Sequence, residues 1–132
     1  MPPLSTELEL LAWSTVLLVV HVMTQAQLVT RERGLDWNAG PRDVSPRPLG
    51  PLAGRAARAL ANFQEAYVVF VALALGLAVS GRAGGLGAMG AGIWFAARIA
   101  YLPLYLIGIR YLRSIAWLCS ILGLLLMLIR LL

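Results

Sequence analysis

The sequence predicts an all-α integral membrane protein, a four-helix bundle that takes up the whole chain as one transmembrane domain. Three observations carry this. Sixty per cent of the 132 residues are hydrophobic and only 13% are charged, with a mean hydropathy of +0.79; a soluble domain of this size needs more polar residues than that to cover its surface. Four stretches, roughly 8–29, 56–79, 86–108 and 112–131, reach the about 20 apolar residues that cross a bilayer. The polar remainder gathers in one long connection at about 30–55. A soluble enzyme, a disordered chain and a secreted disulfide scaffold are thereby excluded, and the single cysteine cannot close an internal disulfide. The net charge of +5 comes from 11 arginines, with no lysine, against six acids. No basic face lies outside the membrane-flanking loops, so nucleic acid is not an expected partner.

Span one follows MPPLSTELEL, which carries two glutamates and no basic residue. Its apolar run exceeds the core of a signal peptide, and it reads as a retained helix. His21 and Gln25 lie one turn apart, with Ser14 on the same face. The connection RERGLDWNAGPRDVSPRPLGPLAG has no span-length apolar run and no helical period. Trp37 and the mixed charges suit an interfacial, partly ordered loop, and a solvated linker is the alternative. In span two, Ala72, Gly76 and Ser80 recur every four residues. In span three, Gly84, Ala88, Gly92, Ala96 and Ala100 do the same, and such small-residue stripes predict close helix contacts within or between subunits. Pro103 removes a backbone donor and is expected to kink span three. In span four, Cys119 reads as an inert core thiol. Trp13, Trp94 and Trp117 read as packing or interface anchors.

Orientation follows from arginine placement. Arg31, Arg33, Arg42, Arg47 and Arg55 flank the first connection, and Arg110 and Arg113 the third; only Arg82 and Arg130 fall on the other side. The excess puts the first and third connections in the cytoplasm and both termini outside.

Several polar side chains sit where apolar ones are expected, and intramembrane ionisable groups point to function. Arg55, Arg58, Asn62 and Glu65 share an arc of about 80° on span two. Arg98, Tyr101 and Tyr105 share about 60° on span three. Arg113 and Ser114 open span four. Glu65 lies about 15 Å along its helix from Arg55, and Arg98 and His21 lie about 15 and 12 Å from the inner ends of theirs. Four helices thus place polar groups at one level, which predicts a cavity open to the cytoplasm beneath an almost wholly apolar outer half. The ordinary alternatives are headgroup snorkelling for Arg55, Arg58 and Arg113, a structural Glu65–Arg98 ion pair, belt aromatics at Tyr101 and Tyr105, and a satisfied packing role for His21. One histidine and one cysteine supply no metal cluster, and no Ser–His–Asp set, P-loop or GxGxxG is present.

Several guanidinium groups select carboxylates or phosphates, Glu65 suits an ammonium, and Asn62 both donates and accepts. Glutathione fits that set, with two carboxylates, an ammonium and a thiol. A neighbouring guanidinium favours its thiolate.

The run Arg55-Ala-Ala-Arg58-Ala-Leu-Ala-Asn62-Phe-Gln-Glu65, continuing to Phe70, resembles the RxxRAxxNxxE…F signature of the MAPEG superfamily, the membrane-associated proteins in eicosanoid and glutathione metabolism. Residues 97–114, with Arg98, Tyr101, Tyr105, Arg110, Arg113 and Ser114, are similar to that family's third-to-fourth helix junction. The likeness covers essentially the whole chain, and GLDWNAGPRD at 34–43 looks more like the small bacterial branch than the eicosanoid synthases. The resemblance implies a homotrimer in a bacterial inner membrane, with glutathione held between subunits on the cytoplasmic side. It implies that Arg55, Arg58, Asn62 and Glu65 grip glutathione and that Arg98, Tyr101 and Tyr105 complete the pocket. It implies that Arg113 stabilises the thiolate beside Ser114, and that Arg31 and Arg33 reach a carboxylate from the adjacent subunit. The implied reaction is conjugation of glutathione to a lipophilic electrophile, or reduction of a lipid hydroperoxide, with the apolar substrate arriving from the bilayer lipids. A non-catalytic lipid-binding or scaffold protein of the same fold is the alternative. A small exporter is disfavoured, because it calls for an acid inside span one.

Overall fold

The computed structural model describes residues 2–132. Four long helices, α1 (Thr6–Arg33), α3 (Pro51–Val79), α4 (Leu86–Ile107) and α5 (Arg110–Leu131), are joined by turns and by a connection holding one short helix, α2 (Leu35–Ala39). All four long helices have the length and hydropathy to cross a membrane. At 1.5 Å per residue, even the 22-residue α4 and α5 extend about 33 Å.

The ends are set by local chemistry. Ser5 caps α1, its hydroxyl accepting from Leu8 N at 3.4 Å; Glu7 and Glu9 lie in the first turn and Arg31 and Arg33 in the last, as the helix dipole favours. Pro51 starts α3 in the first helical turn, where its missing N–H costs nothing. The helix therefore begins earlier than 56, and Arg55 is a helical residue rather than a loop one. Pro103 lies inside α4 without ending it. Gly108 does end it, in the left-handed region at φ 84°, with its N–H 3.1 Å from the carbonyls of Leu104 and Tyr105. A side chain there would be strained.

The connection after α1 is anchored at several points, while residues 41–48 are all exposed. Glu32 Oε2 accepts from Gly50 N at 2.8 Å, Arg33 donates to the Arg47 carbonyl at 3.0 and 3.2 Å, and Asn38 Nδ2 donates to Thr30 Oγ1 at 2.7 Å. The guanidinium carbons of Arg33 and Arg42 stand 4.7 and 5.3 Å from the Trp37 ring.

The helices pair antiparallel. α4 packs most extensively on α5, and α1 on α3; α4 also contacts α1 and α3. The core holds Phe63, Phe70, Leu73 and Leu77 of α3, Ala91 and Trp94 of α4, and Leu124 and Met127 of α5. Phe70 and Trp94 stack with centroids 3.8 Å apart. α4 and α5 approach closely at Gly90 and Gly123, where a Cβ on either would lie 2.5 Å from the other's carbonyl oxygen. This corrects the expected stripe within the subunit. Gly92 meets nothing within 4 Å, because two residues along a helix turn it about 200° from Gly90, away from α5.

Three further readings change. Cys119 is exposed on α5 rather than in the core. The end of the bundle opposite the long connection is not purely apolar: Glu7 is fully buried, with Oε1 accepting from Gly84 N at 2.6 Å. His21 is buried against Phe63, ring centroids 4.7 Å apart, yet neither ring nitrogen has a partner among the described residues. It packs, but it is not satisfied.

Candidate functional site

At the end of the bundle that carries the long connection, α3, α4 and α5 part to leave a cleft of about 430 Å³, within the range of small-molecule sites. Arg58, Ala61, Asn62 and Glu65 line it from α3, Tyr101 and Tyr105 from α4, and Arg113, Ser114 and Trp117 from α5. The 4-3 spacing of Arg58, Asn62 and Glu65 on α3, the 4-residue step on α4 and the first turn of α5 each deliver their residues to this one opening, as helical periodicity requires.

Its walls are fixed by aromatic and cationic packing. The Tyr101 and Tyr105 rings lie 5.4 Å apart at 56°, and the Arg113 guanidinium sits 4.7 Å from the Tyr105 ring. Tyr101 and Tyr105 are buried, among Ala59, Leu102 and Ala116. Arg58, Glu65 and Ser114 are exposed on the single subunit, and Arg113 is half-buried. The Ser114 hydroxyl donates to the Arg110 carbonyl at 3.2 Å.

Arg98 does not line the cleft. It is fully buried behind the wall, with its guanidinium 5.2 Å from the Tyr101 ring, and Nη1 donates to Asn62 Oδ1 at 2.7 Å. Its Nε and Nη2 have no partner among the described residues, so no Glu65–Arg98 ion pair forms. Arg55 lies next door. It lines a smaller cleft of about 180 Å³ with Arg58, Tyr105, Gly108, Arg110 and Arg113, and its Nη1 donates to the Leu106 carbonyl at 3.1 Å. Four arginines surround this second opening, and it shares Arg58, Tyr105 and Arg113 with the first.

Arg31 and Arg33 stand apart from both clefts. Arg31 borders a groove on α1 with Met23, Ala26, Gln27 and Thr30, and Arg33 is engaged by Arg47 and Trp37. Sequence reasoning missed Ala61, Trp117 and Arg110 as lining residues. Trp117 lies three residues after Ser114 and four after Arg113, and that same-face spacing was the available signal.

The arrangement suits a polyanionic zwitterion. It offers guanidinium groups from α3 and α5, one carboxylate, an amide and two tyrosines, at the foot of an apolar bundle. No curated protein and no solved structure matches the chain. A family model described as the MAPEG family matches residues 10–132, nearly the whole chain. The chain is therefore a member of the MAPEG family, an all-helical protein with four helices able to span a membrane.

Proposed function

We propose that the protein is a glutathione-dependent membrane transferase or peroxidase acting on lipophilic electrophiles or lipid hydroperoxides, working as a homotrimer in a bacterial inner membrane with both termini outside. The observation that carries this reading is the convergence of Arg58, Asn62, Glu65, Tyr101, Tyr105, Arg113 and Ser114 on one cleft, in a chain whose family is associated with glutathione and eicosanoid metabolism.

Glutathione, when bound, would supply the thiol: its sulfur would bond to the electrophilic carbon and expel the leaving group, or two thiols would reduce ROOH to alcohol and water with formation of a disulfide. The chain's own residues hold it and favour its charge. Arg58 takes a carboxylate, and Arg55 and Arg110 extend the cationic surface through the adjoining cleft. Glu65 accepts from the ammonium. Arg113, propped on Tyr105, places a positive charge at the α5 side of the cleft, where it lowers the cost of ionising a thiol. Ser114 stands beside it, and its hydroxyl, which donates to the Arg110 carbonyl, would be available to donate to the sulfur instead. The exposure of Arg58 and Glu65 on one subunit supports closure of the cleft by a second one.

The test is calorimetric titration of glutathione into detergent-purified protein, with turnover of a model electrophile. Binding at millimolar concentration or tighter, with thiol consumption, is the expected result. No binding overturns the reading and favours a lipid-binding scaffold of the same fold.

A further inference from the structure

We propose that Arg98 is a positioning residue that locks the Asn62 amide with its NH₂ toward the cleft, so that the ligand must present an acceptor oxygen, carbonyl or carboxylate, at that point. The statement about the ligand rests on the glutathione reading; the statement about Arg98 does not.

The argument starts from donor chemistry. A guanidinium has five N–H donors and no acceptor. The contact of 2.7 Å between Arg98 Nη1 and the Asn62 side chain must therefore be made to the amide oxygen, which removes the usual ambiguity between the two ends of an asparagine. With Oδ1 turned to the guanidinium, Nδ2 points the other way. Asn62 lines the cleft and Arg98 does not, so that other way is into the cleft. A free asparagine recognises donors and acceptors alike, whereas this one offers only donors.

Arg98 is well placed to hold the amide and badly placed to touch a ligand. Its relative exposure is 0%. It is shut in by Tyr101, 5.2 Å from its guanidinium carbon, and by Phe63, 6.0 Å away. The bond to Asn62 is the one side-chain hydrogen bond it makes among the described residues, and Nε and Nη2 remain without a protein partner. A buried, charged donor with so few alternatives keeps the partner it has, since losing it leaves a further unsatisfied cationic N–H. One helical turn along α3, Glu65 presents acceptors to the same cleft. The α3 face therefore presents donors at Arg58 and Asn62 and acceptors at Glu65, and Arg98 fixes the role of Asn62.

Two measurements on the full-length protein in detergent test this. The first is a thermal-unfolding cycle of wild type, Asn62→Asp, Arg98→Met and the double variant. Beside Arg98, an aspartate gains a charge-assisted bond, and Asn62→Asp should hold or raise the midpoint. Beside methionine the same change should lower it. Equal shifts in both backgrounds overturn the pairing, whether or not glutathione binds. The second is glutathione calorimetry with Asn62→Asp, which needs no Arg98 variant to fold. Replacing the donor by a second carboxylate oxygen should weaken binding roughly tenfold or more; binding as tight as wild type overturns the donor assignment. Arg98→Met should raise KM for glutathione while leaving kcat at saturation unchanged, and Arg98→Lys, which still donates to Oδ1, should recover part of the loss. A fall in kcat with KM unchanged would instead place Arg98 in the chemistry and overturn the positioning role. If wild type takes up no glutathione, the functional reading alone fails, and the unfolding cycle decides the role of Arg98.

Discussion

Replacing Glu65 by glutamine keeps the shape of the side chain and removes its charge, and the size of the effect depends on what covers the cleft. On one subunit Glu65 is exposed. An ion pair with a ligand ammonium in that setting is worth about 0.2–1 kcal/mol, and its loss would weaken glutathione binding roughly 1.4- to 5-fold. If a neighbouring subunit lies over the cleft and excludes water, removing one partner of the pair costs about 2–5 kcal/mol, roughly 30- to several-thousand-fold. The proposed intersubunit site predicts the larger figure. The assay is calorimetric titration of wild type and Glu65→Gln at matched oligomeric state, checked by native mass spectrometry. A loss of 30-fold or more supports both the ammonium contact and the covering subunit. A loss of a few-fold keeps the contact and refutes the cover. Unchanged affinity refutes Glu65 as the ammonium partner.

Arg113→Ala should leave much of the glutathione binding but reduce thiolate absorbance at neutral pH and turnover with it; equal thiolate signal and turnover in both proteins would remove Arg113 from the mechanism. Gly90→Ala forces a Cβ to 2.5 Å from the Gly123 carbonyl and to 3.0 Å from Leu126 and Met127, and should cost about 1–3 kcal/mol of fold stability, measured by denaturant titration in micelles. Gly92→Leu, with open space around it, should leave the fold of the subunit intact but reduce the oligomer; a destabilised monomer or an unchanged oligomer would refute the assignment of the two faces. Reporter fusions at residue 132 and within 36–48 should place the terminus outside and the connection inside, and a cytoplasmic C-terminus would overturn the orientation.

The spans were legible because about 20 consecutive apolar residues leave few alternatives to a crossing helix. The cleft was legible because Arg58, Asn62 and Glu65, Tyr101 and Tyr105, and Arg113 and Ser114 each repeat at three- or four-residue steps or open a helix. What failed was information held by a partner element. α4 has small residues on more than one face, and only Gly123 on α5 decides that Gly90 makes the close approach. Arg98 shares an arc with Tyr101 and Tyr105, yet lies a turn deeper, where Phe63 and Asn62 enclose it. The start of α3 was hidden because Gly50 and Pro51 resemble loop composition, although proline in a first helical turn is a start signal. His21 carried no sign that its nitrogens would go unpartnered, since that depends on Phe63 filling the space beside it.

The Gly90–Gly123 contact also bears on how an apolar substrate travels. Backbones that approach closely enough to exclude a methyl group exclude a lipid tail, so the seam between α4 and α5 is shut along its middle. α3 packs on α5 less extensively than α4 does, and those two helices line the cleft with Ala61 and Trp117. A hydrophobic molecule diffusing in the bilayer would therefore enter by the α3–α5 flank. There the small side chain of Ala61 is exposed, and the indole of Trp117, itself 38% exposed, lines the cleft with it. On the proposed function, bulk at position 61 would then discriminate among substrates by girth while leaving Arg58, Asn62 and Glu65, the proposed glutathione contacts on α3, unchanged.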